Sequence, residues 1–146
     1  MKQNSSSVRP SSPVATRRMK SVRSAGTAAE IQLQRCLRRL GLRFCVNALA
    51  SPTRCRPDLI VQDQRVAIFV DGCFWHSCPR HRSWPRANRE WWRDKIERNC
   101  ERDRRLRREL RRNGWKVVRV WEHENPERAA KKIHELVLAL PSLTLD

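Results

Sequence analysis

The sequence predicts a single α/β domain, and three observations predict it. Its 146 residues are enough for one modest hydrophobic core and too few for two. Stretches of helical 3.6-residue periodicity alternate with short Val- and Ile-rich runs, in the order α, β, β, β, α, β, α. No internal repeat suggests a stacked architecture instead.

The elements follow in chain order. Residues 1–25 hold Ser, Pro and six basic residues, with no acid before Glu30, a composition that buries too little apolar surface to offset the entropy of ordering. They read as a flexible basic arm, either inert or ordered against DNA, and leave 26–146 as the folded domain. From Thr27 a helix begins, with Leu33, Cys36, Leu37 and Leu40 on one face and Gly41 placed to end it. Phe44 to Val46 fits a first short strand. Asp58 to Val61 and Val66 to Val70 fit two more, separated by the turn-like Gln62-Asp63-Gln64. Asn88 to Arg112 reads as a long helix whose Trp92, Ile96, Cys100, Leu106 and Leu110 form an inward stripe, closed by Asn113-Gly114. Lys116 to Trp121 alternates as a strand, and Pro126 opens a last helix to about Ala139.

Charge narrows the function. Lys and Arg number 32 against 15 Asp and Glu, a formal charge of +17, which suits a protein that binds a polyanion. The longest uninterrupted apolar runs, Val66 to Val70 and Leu136 to Leu140, are far too short to span a bilayer. Membrane insertion is therefore excluded as an expectation. The first residues lack an apolar secretory segment, so the chain is expected in the cytoplasm with its six cysteines reduced, associated with nucleic acid.

Three acids stand out. Pro57 stiffens the approach to Asp58, which precedes an apolar strand, and hydrolysis of a phosphodiester with Mg²⁺ needs such a hard oxygen ligand on a rigid element. An ordinary turn Asp after Pro has the same local pattern. The next strand ends in Asp71-Gly72, so two strands are bounded by acids. Glu30 shares a helix face with Leu33 and Leu37, which points it inward; the Thr27-Ala28-Ala29-Glu30 spacing equally suits a capping box.

Cys73-Phe74-Trp75-His76-Ser77-Cys78-Pro79-Arg80-His81, with His123 after the last strand, supplies five candidate soft ligands. A structural zinc site needs four. Cys73, Cys78, His81 and His123 would tie the loop to the last strand; Cys73, His76, Cys78 and His81 are the competing set. In the first case His76 is left to serve as a general base or phosphate donor. Phe74, Trp75, Trp91 and Trp92 suit either core packing or a wedge between base pairs; the helix residues Trp91 and Trp92 favour the core, and Phe74-Trp75, in a polar-flanked loop after Gly72, favour exposure.

Taken together, Arg-Pro-Asp at 56–58, Val-Asp-Gly-Cys-Phe-Trp-His at 70–76, Lys-Ile-Glu-Arg-Asn at 95–99, Glu-Arg-Asp-Arg-Arg at 101–105, Gly-Trp-Lys-Val at 114–117 and Val-Trp-Glu-His at 120–123 resemble the very short patch repair (Vsr-type) DNA mismatch endonucleases. The resemblance spans about Thr16 to Ala139. It implies a restriction-endonuclease-like (PD-(D/E)xK-type) fold, a central mixed sheet flanked by helices, with one structural zinc. It also implies Mg²⁺-dependent nicking of duplex DNA 5′ to the thymine of a T:G mismatch left by deamination of 5-methylcytosine, by a monomer that works with mismatch-repair proteins.

By position, Asp58 resembles the Mg²⁺-binding aspartate, with the Val70 backbone carbonyl as its partner ligand. His76 resembles the catalytic histidine and Glu30 the acid of the first helix. Cys73, Cys78, His81 and His123 look like the zinc set, and Phe74, Trp75 and Trp92 like residues that intercalate beside the mismatch. Asp71 stands where some members have a second active-site histidine, so phosphate contact, metal ligand and partner of His76 remain its alternatives. A general nicking enzyme of the same fold, or a non-catalytic zinc-stabilised DNA-binding module, would share much of this pattern.

Overall fold

A computed structural model describes residues 27–72 and 86–143. Helix α1 (Ala28–Arg39) leads to strands β1 (Cys45–Val46), β2 (Leu59–Val61) and β3 (Val66–Asp71); then come helix α2 (Arg89–Arg112), strand β4 (Lys116–Trp121) and helix α3 (Pro126–Ala139). The sheet order is β1-β2-β3-β4. The first three strands are antiparallel and β4 joins β3 in parallel, so the sheet is mixed. A parallel neighbour needs a crossover connection, and α2 lies in it. The expected arm at 1–25 and the Cys73–His81 segment lie outside the described residues.

Local chemistry explains the boundaries. At the start of α1 the Thr27 hydroxyl accepts the Glu30 N–H at 3.3 Å, and before α3 the Asn125 side chain accepts the Arg128 N–H at 3.1 Å, with Pro126 in the first turn. Helices α1 and α2 end alike. Gly41 (φ 77°) and Gly114 (φ 84°) take the left-handed conformation. The N–H of Leu42 then reaches the Leu37 carbonyl at 3.1 Å, and that of Trp115 reaches Leu110 at 3.0 Å. Both helix ends are apolar as well: Leu110 and Trp115 belong to one buried cluster, and Leu42 packs against the cluster that holds Leu37.

Two small departures from the expected elements each have a local cause. Leu40, placed by periodicity on the inward face of α1, is 41% exposed: it is the C-cap residue, beside the chain reversal at Gly41. β3 extends one residue beyond Val70 to Asp71 because β4 continues to pair with it.

The core has two sides. Leu33 and Leu37 of α1 and Ala130, Ile133 and Val137 of α3 pack on Leu59, Val61, Val66, Ile68 and Val120. On the opposite face Leu110 of α2 and Trp115 pack on Ile60 and Ala67, with Phe69 and Val117 beside them. Alternation along the strands sends successive side chains to opposite helical layers. The fold is thus a helix-sheet-helix sandwich, and β2 and β3 are covered on both sides.

Candidate active site

Asp58 comes immediately before β2. The Leu59↔Ile68 pairing brings it alongside the far end of β3, where its Oδ2 accepts the Val70 N–H at 2.7 Å. Pro57, fully buried, holds the approach. The carboxylate thus continues, with a side chain, a ladder that β2 itself does not extend. The direction of the Val70 peptide groups follows from its neighbour. The Asp71 carbonyl accepts the Glu122 N–H at 2.9 Å on the β4 side. Successive residues of a strand turn their backbone groups to opposite edges, so the Val70 carbonyl faces the β2 side with Asp58.

Asp71, the last residue of β3, is only 4% exposed. A buried carboxylate requires compensation, and Arg119 of β4 supplies it by donating from Nε to Asp71 Oδ2. The Arg119 guanidinium lies 4.2 Å from the Trp121 ring centroid. Arg107 of α2 belongs to the same neighbourhood. Burial, and next the positive charge of Arg119, hold its guanidinium below the ordinary range, with Asp71 and Asp103 acting in the opposite sense. Arg119 was not singled out from the sequence. The available signal was a lone Arg inside the otherwise apolar Val117-Val118-Arg119-Val120.

Glu30 combines features of both readings made for it. The Thr27 hydroxyl caps its amide, and its side chain is buried, with the residue 2% exposed, on the inward face of α1. That face belongs to the α1–α3 side of the sheet, whereas Asp71 shares its side with Phe69 and the α2 layer. Among the described residues, no group of three or more His, Cys, Asp or Glu side chains is close enough to hold a metal ion.

Of the expected zinc ligands, His123 is described: it follows β4, half-buried, with its ring stacked on Trp121 at 6.3 Å between centroids. Cys73, Cys78 and His81 lie outside the described residues, as do His76, Phe74 and Trp75. Trp92 takes the core packing that its place on the inward stripe of α2 predicts. It is 4% exposed, on the inward face of α2 with Ile96, and meets Trp91 edge-on at 4.8 Å. In this conformation Trp92 is a core residue.

Residues 13–84 match the family model for the DNA mismatch endonuclease Vsr. The chain is 39% identical over 121 residues to the type II nicking enzyme V.NaeI of Lentzea aerocolonigenes, which covers 81% of this chain and 73% of that relative. It is 36% identical over 124 residues to the type II nicking enzyme V.NmeDIP of Neisseria meningitidis serogroup C, covering 82% of each. It is also 38% identical over 111 residues to the DNA mismatch endonuclease Vsr of Escherichia coli, covering 73% of this chain and 68% of the relative. The chain therefore belongs to the Vsr family of DNA endonucleases.

Proposed function

We propose that this protein starts very short patch repair by nicking one strand of duplex DNA 5′ to the thymine of a T:G mismatch, on a restriction-endonuclease-like scaffold. The observation that carries the reading is the Asp58 carboxylate fixed on the Val70 peptide, at 2.7 Å from its N–H, in a chain of this family. Asp58 and the Val70 carbonyl face the same edge of β3 and offer the hard oxygens that suit Mg²⁺. Bound there, Mg²⁺ would polarise the scissile phosphate and lower the pKa of the attacking water.

The protein's own residues do the rest. Asp58 stays oriented by the Val70 N–H, and His76 accepts the proton of the attacking water at a ring nitrogen. Phe74 and Trp75 wedge into the base stack. The Arg-rich surface of α2 contributes salt-dependent affinity for phosphates. Cys73, Cys78, His81 and His123, two thiolates and two imidazoles, fit a structural Zn²⁺ that ties the 73–81 segment to the end of β4. We assign the working form as a cytoplasmic monomer at the nucleoid, handing the nick to other repair proteins.

A second reading is a nicking enzyme that does not require a mismatch; several relatives are named as type II nicking enzymes, a name compatible with either reading. One assay separates the two: strand-specific cleavage of matched, T:G and C:A duplexes with Mg²⁺ or EDTA, wild type beside Asp58→Ala. A Mg²⁺-dependent nick at T:G alone, lost in the variant, supports the repair reading. Equal nicking of the matched duplex supports the second, and tight binding without any cut refutes both.

A further inference from the structure

We propose that Arg119 binds the phosphate on which the site acts, and that Asp71 and Trp121 hold it in position to do so. The inference rests on the endonuclease reading above and adds a residue to it.

The placement is the first ground. Asp71 follows Val70, whose N–H holds Asp58, so the anchor of Arg119 and the anchor of Asp58 are adjacent residues at one strand end. In the β3–β4 register Phe69 pairs with Arg119 and Asp71 with Trp121, which puts Arg119, Asp71 and Trp121 on one face of the sheet.

The asymmetry of the pair is the second ground. The Asp71 side chain is 6% exposed and that of Arg119 30% exposed. The carboxylate is enclosed, whereas the Arg119 side chain keeps partial exposure to solvent. Its Nε is engaged by Asp71 and its Cζ lies over the Trp121 ring at 4.2 Å from the centroid, so the side chain is held in place before any ligand arrives. An ordered guanidinium presents planar donors that match phosphate oxygens and loses little further rotamer freedom on binding. Neutralising Asp71 alone would not require that stacking.

Asp71 then has a role distinct from metal ligand or base. It is a positioning residue that acts through Arg119. Arg107 lies in the same neighbourhood, since both Arg119 and Asp71 act on its guanidinium.

The test measures coupling between Arg119 and the charge on the scissile phosphate. Affinity of the full chain for a T:G duplex is measured in EDTA, with the phosphate 5′ to the mismatched thymine either natural or an uncharged methylphosphonate. Wild type, Arg119→Gln, Arg119→Lys and Asp71→Asn are compared, each with its thermal unfolding midpoint. Losing the phosphate charge should weaken wild-type binding roughly tenfold or more, and Arg119→Gln should lose a similar factor on the natural duplex. The two losses should not add: Arg119→Gln should bind both duplexes alike. Arg119→Lys, which keeps the charge and gives up the planar fork, should retain part of the methylphosphonate effect, and Asp71→Asn likewise.

If the methylphosphonate weakens Arg119→Gln as much as wild type, the proposal is overturned. Should Arg119→Gln fail to fold, the double variant Asp71→Asn/Arg119→Gln, which leaves no buried carboxylate unpaired, takes its place, and an undiminished methylphosphonate effect in it overturns the proposal equally. An undiminished effect in Asp71→Asn overturns the positioning role of Asp71. A wild type that shows the coupling but cuts no duplex with Mg²⁺ refutes the endonuclease reading instead, so the two failures are distinguishable.

Discussion

Replacing Asp58 by Asn separates what this side chain does for the fold from what it does for chemistry. In the wild type Oδ2 accepts the Val70 N–H at 2.7 Å. An Asn carbonyl oxygen can accept the same hydrogen bond, so the end of β3 keeps its cap and only the charge is lost. The exchange of a charge-assisted bond for a neutral one is worth about 1 kcal/mol, or about 3–5 °C in melting temperature for a chain of this size. The effect on cleavage should be far larger. A neutral amide is a poor ligand for a hard divalent cation, and loss of about 4 kcal/mol of transition-state stabilisation slows the nick about a thousandfold. Single-turnover cleavage of an end-labelled T:G duplex, run beside thermal unfolding and duplex affinity, reads all three quantities. Asp58→Ala should melt lower still, because the Val70 N–H then loses its acceptor. If Asp58→Asn cuts at a rate close to wild type, Asp58 is no more than a cap on β3, and the metal reading of this site falls.

Three further outcomes are expected. Gly114→Ala forces a side chain into the left-handed conformation at φ 84°, and a Cβ there would meet the Arg65 Nη1 only at an ordinary 3.5 Å, so the loss should be the backbone term of about 1–2 kcal/mol, read as a lowered urea midpoint with unchanged slope. Arg108 is exposed on α2; if it faces a phosphate, Arg108→Ala should reduce the log-log salt slope of DNA binding by about 0.9, whereas an unchanged slope assigns it to bare solvent. Burial first, then the nearby Glu109, Asp103 and Asp58 carboxylates, raise the Cys55 thiol above its ordinary value of 9.0. A raised folded-state value means that this group's contribution to stability is fully present below about pH 9 and is lost as the pH rises above it. Cys55→Ala should remove that alkaline loss, and at neutral pH a thiol reagent should reach the exposed Cys45 well before Cys55.

Much of the fold was legible because its signals are local. The bounds expected for β4 and α3 coincide with those observed, Lys116–Trp121 and Pro126–Ala139, since Asn113-Gly114 and Asn125-Pro126 mark their ends with residues suited to a left-handed turn and a helix start. The inward stripe of α2 follows from periodicity, which fixes direction relative to neighbours on the same helix. The same rule places Trp92 in the core, and it misplaces Leu40, which obeys the period but falls at the C-cap.

Residue types and spacing by themselves determined the class, the order of elements, the strongly basic character and the family motifs around Asp58 and the Cys73–His81 segment. These depend on composition and on contacts within a few residues. The partner of Asp71 did not. Arg119 lies 48 residues away and meets Asp71 because β4 returns parallel to β3 after α2, a register that no local pattern encodes. The same holds for Asp58 and the Val70 N–H, 12 residues apart across a hairpin. Local sequence selects which groups are available; the sheet register, set by packing of helices on both faces at once, decides which of them touch.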